Sequence, residues 1–172
     1  MTTTDQLDEK WDLYDRQMHI VGTARRRDTL PAGTFHLAVA CILFDERGNV
    51  LVQQRSLHKL SHPGAWELGA GGSALRGEDG PAAATREVQE EMQLAVSVPR
   101  TAMFARDFYS TWIEEWFVVQ STIALADVHM QVSEVAQVKL LTLADARKLL
   151  TAAGINGQVA RLDAAAALLG LS

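Results

Sequence analysis

The chain has 172 residues, 48% of them hydrophobic and 22% charged, with a net charge of −5. This is enough apolar chain for one domain with its own core, and the acidic balance argues against a general nucleic-acid or membrane-surface binder. No apolar run reaches 18 residues, and the polar opening MTTTDQLDEKWD lacks the layout of a secretory signal, so a cytoplasmic protein with a single domain over 1–172 is expected.

Residues 11–14 and 18–22 read as an N-terminal hairpin turning at Asp15-Arg16-Gln17. A polar connection over 25–33 carries Arg25-Arg26-Arg27, read first as solvated charge and second as a phosphate contact near a site entrance. The run 36–44 is a buried strand, and its Cys41, the sole cysteine, is a buried structural thiol with no disulfide partner. The turn at 45–49 leads into a strand over 50–55, and the two strands are expected to pair as a hairpin. A loop over 56–64 with His58 and His62 precedes a short strand at 66–69.

Pro81 suits a first helical position behind an Asp79 or Gly80 cap, and three alanines follow. The spacing predicts a helix over 81–92, about 18 Å long, with Ala83, Ala84 and Val88 facing inward. Strands are expected at 100–107, 112–123 and 134–140. A helix opens at Thr142 and runs to Leu150, and an Ala- and Leu-rich helix covers 158–169. Strands on both sides of a central helix, with helices at the end, predict an α/β fold: a mixed sheet covered by helices.

The chemistry concentrates in GSALRGEDGPAAATREVQEEMQL, residues 72–94. On the predicted helix Glu87 lies three and four residues from Glu90 and Glu91, so the three carboxylates share a face, and Arg86 is placed to brace Glu90. Like charges at this spacing destabilise a helix by a few tenths of a kcal/mol per pair unless something neutralises them. Carboxylates bunched after a Gly-rich loop suit a hard divalent cation, and such cations serve phosphate chemistry.

Gly72, Glu78, Arg86, Glu87, Val88, Glu90, Glu91 and Leu94 together resemble the Nudix box. One position departs from it: Gln93 stands where that motif ends its helix with a left-handed glycine. A Gln in that backbone would cost roughly 1–2 kcal/mol. The resemblance implies an α/β/α sandwich over about 36–153. It also implies Mg²⁺- or Mn²⁺-dependent cleavage of a diphosphate linkage in a nucleoside di- or triphosphate or a related derivative. Glu87, Glu90, Glu91 and the Gly71 carbonyl would then be metal ligands. Glu90, Glu91 and Arg86 would act in catalysis, and Glu78 would close the loop onto the helix. The water-activating base would be a box glutamate or an acid from elsewhere, with Glu115 ranked before Glu134. The expected partner is a small-molecule diphosphate, with no nucleic acid and no membrane. By fold analogy, the N-terminal hairpin suits addition to a neighbour's sheet in a homodimer.

The stretch 35–72 also resembles isopentenyl-diphosphate isomerases and the Nudix hydrolases related to them. There, residues matching Arg55 and Lys59 contact diphosphate. The isomerase cysteine is replaced by Gly71. Of the isomerase metal histidines only His36 has a match, with Thr29 and Ser73 at the other positions. These departures favour a hydrolase over an isomerase, and the intact box glutamates argue against a non-catalytic nucleotide sensor. Phe104, Phe108, Tyr109, Trp112 and Trp116 are read first as strand core and second as a platform for a base.

Overall fold

The computed structural model describes residues 5–171, so residues 1–4 and 172 of the expected domain lie outside the described part. Its strands are β1 (Lys10–Tyr14), β2 (Ile20–Arg25), β3 (Phe35–Phe44), β4 (Val50–Arg55), β5 (Trp66–Leu68), β6 (Ala70–Ser73), β7 (Met103–Phe108), β8 (Trp112–Gln120) and β9 (Val135–Leu141). The helices are α1 (Gly80–Met92), α2 (Leu143–Ala152) and α3 (Asn156–Leu168). The strands form one mixed sheet. Its main path runs β2-β1-β3-β4-β5, with β6 and β8 also on β3, β7 on β8 and β9 on β4. Among the described residues only β3 and β8 pair in parallel.

The sheet separates two cores, and β3 feeds both by alternation. Leu37, Val39, Cys41 and Leu43 pack with Ala83, Ala84, Val88 and Met92 of α1. Ile42 and Phe44 turn to the other face, where Ala146 and Leu150 of α2 and Leu162 and Ala165 of α3 cover them. The α/β/α sandwich is thus the observed architecture. The inward stripe of α1 has the helical period expected of it. Cys41 is fully buried, and burial pushes its thiol up to about 12.

The 36–44/50–55 hairpin does not form as expected. β3 and β4 pair only at Phe44 and Val50 and then diverge. The segment read as one strand at 66–69 splits to fill the gap: β5 pairs with β4, and β6 pairs with β3. Gly69 is the hinge between them. Its φ is +60°, and a Cβ there would fall 1.7 Å from the Cys41 carbonyl oxygen, so only glycine fits. This divergence opens the sheet beside α1.

Asp79 caps α1 by accepting a hydrogen bond from the Ala82 amide at 3.0 Å. Gln93 ends the helix in the left-handed region, φ 54° and ψ 29°, with its N–H bonded to the Gln89 carbonyl. It therefore takes up the glycine-like backbone. Arg100–Ala102 is a 3-10 turn before β7 rather than strand, and β8 stops at Gln120. No helix among the described residues is long and apolar enough to cross a membrane.

Candidate active site

A cavity of about 870 Å³ opens where β3 and β4 part, and Gly71, Gly72, Arg86, Glu87, Glu90 and Glu91 line it. The helix repeat sends Glu87 and Glu91 inward, where they are 9% and 4% exposed, and leaves the Glu90 side chain 52% exposed. Gly72 allows the close approach: a Cβ there would lie 2.4 Å from Glu87 Oε1. The Gly71 amide donates to Glu91 Oε2 at 3.1 Å, and Gln53 Nε2 donates to the same oxygen at 2.9 Å.

Arg86 organises the rest. Its Nε and Nη2 fork onto Glu78 at 2.8 and 3.0 Å, and Nη2 also donates to the Ser73 carbonyl at 2.9 Å. Its Nη1 reaches Glu87 Oε1 at 2.9 Å and Glu90 Oε2 at 3.0 Å. Glu78 also accepts from the Leu75 amide at 2.9 Å, which ties the loop to the helix. Burial pushes the Glu78 carboxyl up, but the Arg86 and Leu75 hydrogen bonds outweigh that and hold it below its usual value. Two carboxyls move the other way. Desolvation lifts Glu87 to about 7, with Glu90 and Glu9 repulsion adding. Desolvation lifts Glu91 well above its ordinary value, with Glu87 and Glu67 adding.

These donors fit a hard divalent cation, since all are oxygens and two are buried acids whose desolvation outweighs the partners they have here. Gln53 Oε1 is buried beside them with no partner, a further oxygen in need of one. In the arrangement described, Arg86 and Gln53 hold the carboxylates. Among the described residues no three acidic, His or Cys side chains converge into a ready cation site.

The expected phosphate-binding cations border the same cavity. Arg55 donates to Glu67 Oε1 at 3.0 Å and to the Ser61 carbonyl at 3.0 Å. Lys59 is paired with Glu134 and, at 2.6 Å, with Asp5. Asp5 also binds Arg26 at 2.7 Å and the Leu60 amide at 2.7 Å, so the first described residue clasps the cavity's mouth. Of Arg25-Arg26-Arg27 only Arg26 lines the cavity, whereas Arg25 and Arg27 pair with Asp8.

Glu115 requires a correction. It is 2% exposed and lies on the α1 side of β8, away from the cavity, where Arg106 binds it at 2.6 Å. Its other oxygen abuts Gly80, at the first turn of α1, where a Cβ would fall 1.9 Å away. Strand alternation is the reason: one position earlier, Glu114 faces the cavity, together with Trp112 and Trp116. Glu134 does line the cavity, as Lys59's partner.

Several residues in or behind the lining were not singled out from sequence. Glu67 lines the cavity and accepts from the buried Gln53 behind it, across β4 and β5, at 3.0 Å, a pairing that depends on the unexpected strand split. Trp11 stacks on His36 at 4.1 Å, and burial depresses the His36 pKa to about 4, with Arg26's charge adding. Among the aromatic candidates, Tyr109 and Trp112 stack at 4.3 Å, Phe108 meets Phe35 edge-on, and Phe104 packs against the α2/α3 core.

Residues 34–162 match the family described as NUDIX domain. A Listeria monocytogenes protein called an uncharacterised Nudix hydrolase is 36% identical over 136 residues, 78% of this chain and 80% of the relative. An isopentenyl-diphosphate Delta-isomerase of Mycolicibacterium vanbaalenii is 32% identical over 132 residues, 72% of each chain. A crystal structure from Deinococcus radiodurans superposes with a TM-score of 0.68 at 21% identity, covering 84% of this chain and 90% of the other.

Proposed function

Because this chain belongs to the NUDIX domain family, whose hydrolases act on pyrophosphate bonds, we propose that it hydrolyses a diphosphate linkage in a nucleoside di- or triphosphate or a related derivative, with Mg²⁺ or Mn²⁺ as cofactor. The carrying observation is the buried pair Glu87 and Glu91, two carboxyls with raised pKa values in a cavity that Arg86 braces. A bound divalent cation supplies neutralisation of the diphosphate and a more acidic water. Glu87, Glu90, Glu91 and Gly71 would hold it.

The side chains do the remaining work. Arg86 fixes Glu87 and Glu90 from one guanidinium, so their oxygens are positioned before substrate arrives. Gln53 and the Gly71 amide fix Glu91 in the same way. Arg55 and Lys59 meet the phosphate oxygens, exchanging their present carboxylate partners for phosphate. A cavity carboxylate takes the proton as water's oxygen joins one phosphorus and the bridging P–O bond breaks. Glu115, on the opposite face, is not that base.

The isomerase reading is not supported, because the chain's one thiol, Cys41, lies in the core between sheet and α1. The test is release of phosphate or pyrophosphate from a panel of nucleoside di- and triphosphates and prenyl diphosphate, with Mg²⁺ or Mn²⁺. Glu91→Gln and Glu90→Gln should each lower kcat by about 10²-fold or more while leaving the fold intact. Undiminished turnover in both variants removes the proposed site.

A further inference from the structure

Glu67 stands between the two groups that hydrolysis must bring together. In the short strand β5, Leu68 packs into the α2/α3 core, and alternation turns Glu67 to the opposite face, into the cavity. Its register partner on β4 is Gln53, so the two side chains lie next to each other on that face. Gln53 Nε2 donates to Glu67 Oε1 at 3.0 Å and to Glu91 Oε2 at 2.9 Å. The orientation of that amide is dictated by its neighbours, since turned over its oxygen would face two carboxylates. Both carboxylate oxygens hang on one nitrogen, so they are no more than about 6 Å apart. From the other side Arg55 Nη1 donates to the same Glu67 oxygen at 3.0 Å. Glu67 thus adjoins Arg55, the proposed phosphate contact, and is one amide away from Glu91, a proposed cation ligand.

Those contacts all fall on Oε1. Oε2 has no hydrogen-bond partner among the described residues, and the side chain remains 21% exposed in the cavity wall. A carboxylate pinned through one oxygen presents the other in a fixed direction, which suits a proton acceptor. The other cavity acids are placed differently. Glu87, Glu90 and Glu91 would be engaged with the cation. Glu134 and Glu9 pair with Lys59 and Arg26, and among the described residues neither shares a hydrogen-bond donor with a proposed cation ligand. Glu114 belongs to β8, which flanks β3 on the side opposite β6 and Gly71.

We infer that Glu67 is the general base of the hydrolysis, its Oε2 accepting a proton from the water that attacks phosphorus. This rests on the reading of the Glu87–Glu91 cavity as the diphosphate site. The water oxygen forms the new P–O bond as the bridging P–O bond breaks, and the electron pair of the broken bond leaves with the departing phosphate. One water proton passes to Glu67 Oε2 and from there to solvent. Arg55 draws the phosphate toward the same carboxylate that receives the proton, so a single contact sets the water's acceptor beside the anchor of the group it attacks.

The test replaces Glu67 in two ways. Glu67→Gln keeps an oxygen for Gln53 and Arg55 but is not basic. It should lower kcat by about 10²-fold or more, with KM and the calorimetric Kd for Mn²⁺ within about threefold of wild type. Glu67→Ala leaves room for a small carboxylate, and added formate should raise its kcat by about tenfold or more, where chloride at equal ionic strength does not. Near-wild-type turnover in Glu67→Gln would overturn the inference. So would a loss in Glu67→Ala that follows a weakened Mn²⁺ Kd and ignores formate, because Glu67 would then be only a brace for Gln53 and Arg55. An active Glu67→Gln beside an inactive Glu91→Gln removes the base alone. A wild type that turns over none of the diphosphates removes the hydrolase reading and the base with it.

Discussion

At the scale of single residues, the fold holds groups in states that cost stability elsewhere. His36 is one. Burial beside Trp11, with Arg26's charge nearby, keeps its imidazole neutral down to about pH 4, against an ordinary value of 6.5. Between those values the unfolded chain binds a proton that the folded chain refuses. This contribution is therefore complete above pH 6.5 and is lost as pH falls toward 4, amounting to about 3 kcal/mol. Urea unfolding of wild type and His36→Phe at pH 7.5 and pH 4.5 checks it: the variant should lose less stability on acidification. Parallel losses would show that the buried imidazole is not responsible. Residue identity also sets what sequence can reveal. Glu87, Glu90 and Glu91 are legible because helical spacing alone gathers them. Glu114 and Glu115 are adjacent acids on a strand, and only the direction of the pleat, set by pairing with β3, decides which one meets the cavity.

At the scale of elements, α1 is nearly complete in the sequence, since its cap, its alanines and its inward stripe all follow from local rules. Its end is strained. Gln93 occupies a left-handed backbone that disfavours side chains by roughly 1–2 kcal/mol, part of which a glycine would return as extra unfolded-chain entropy. Gln93→Gly should thus stabilise the protein by about 0.5–1 kcal/mol and raise Tm by a few degrees, with kcat unaffected because the residue does not line the cavity. A lowered Tm would mean that Gln93 makes a contact outweighing its backbone cost. The β3–β4 hairpin failed as an expectation for a different reason. Two apolar runs joined by Asp45-Glu46-Arg47-Gly48-Asn49 look like neighbours along their whole length. The partners that displace them, β5 on β4 and β6 on β3, come from the segment beyond the next loop, and local pattern does not encode that competition.

At the scale of the whole molecule, charge decides how the cavity behaves. Among the described residues seven glutamates line it (Glu9, Glu67, Glu87, Glu90, Glu91, Glu114 and Glu134) against Arg26, Arg55, Lys59 and Arg86. A polyanionic substrate is repelled by that surplus until cations offset it. Mg²⁺ or Mn²⁺ should therefore stabilise the folded state, by about 2.7 kcal/mol at a hundredfold excess over Kd, which is several degrees in Tm. Glu91→Gln relieves repulsion by itself, so it should match or exceed wild type in Tm without metal and lose most of the metal-induced rise. An undiminished rise in that variant would locate the ion elsewhere. The family and the general chemistry were thus readable from one acidic segment. The mouth, by contrast, depends on Asp5, Lys59, Arg26 and Glu134, brought together from four separate parts of the chain.

The parallel register of β3 with β8 has a kinetic corollary. His36 through Phe44 align with Trp112 through Gln120, and the acidic helix lies wholly inside the loop that this alignment closes. Closing so long a loop is entropically slow, and β6, which carries the anchor for Glu91, docks on the same strand. During refolding, secondary structure should return before turnover does, because the groups that do the chemistry meet only when the two halves of the chain have found each other.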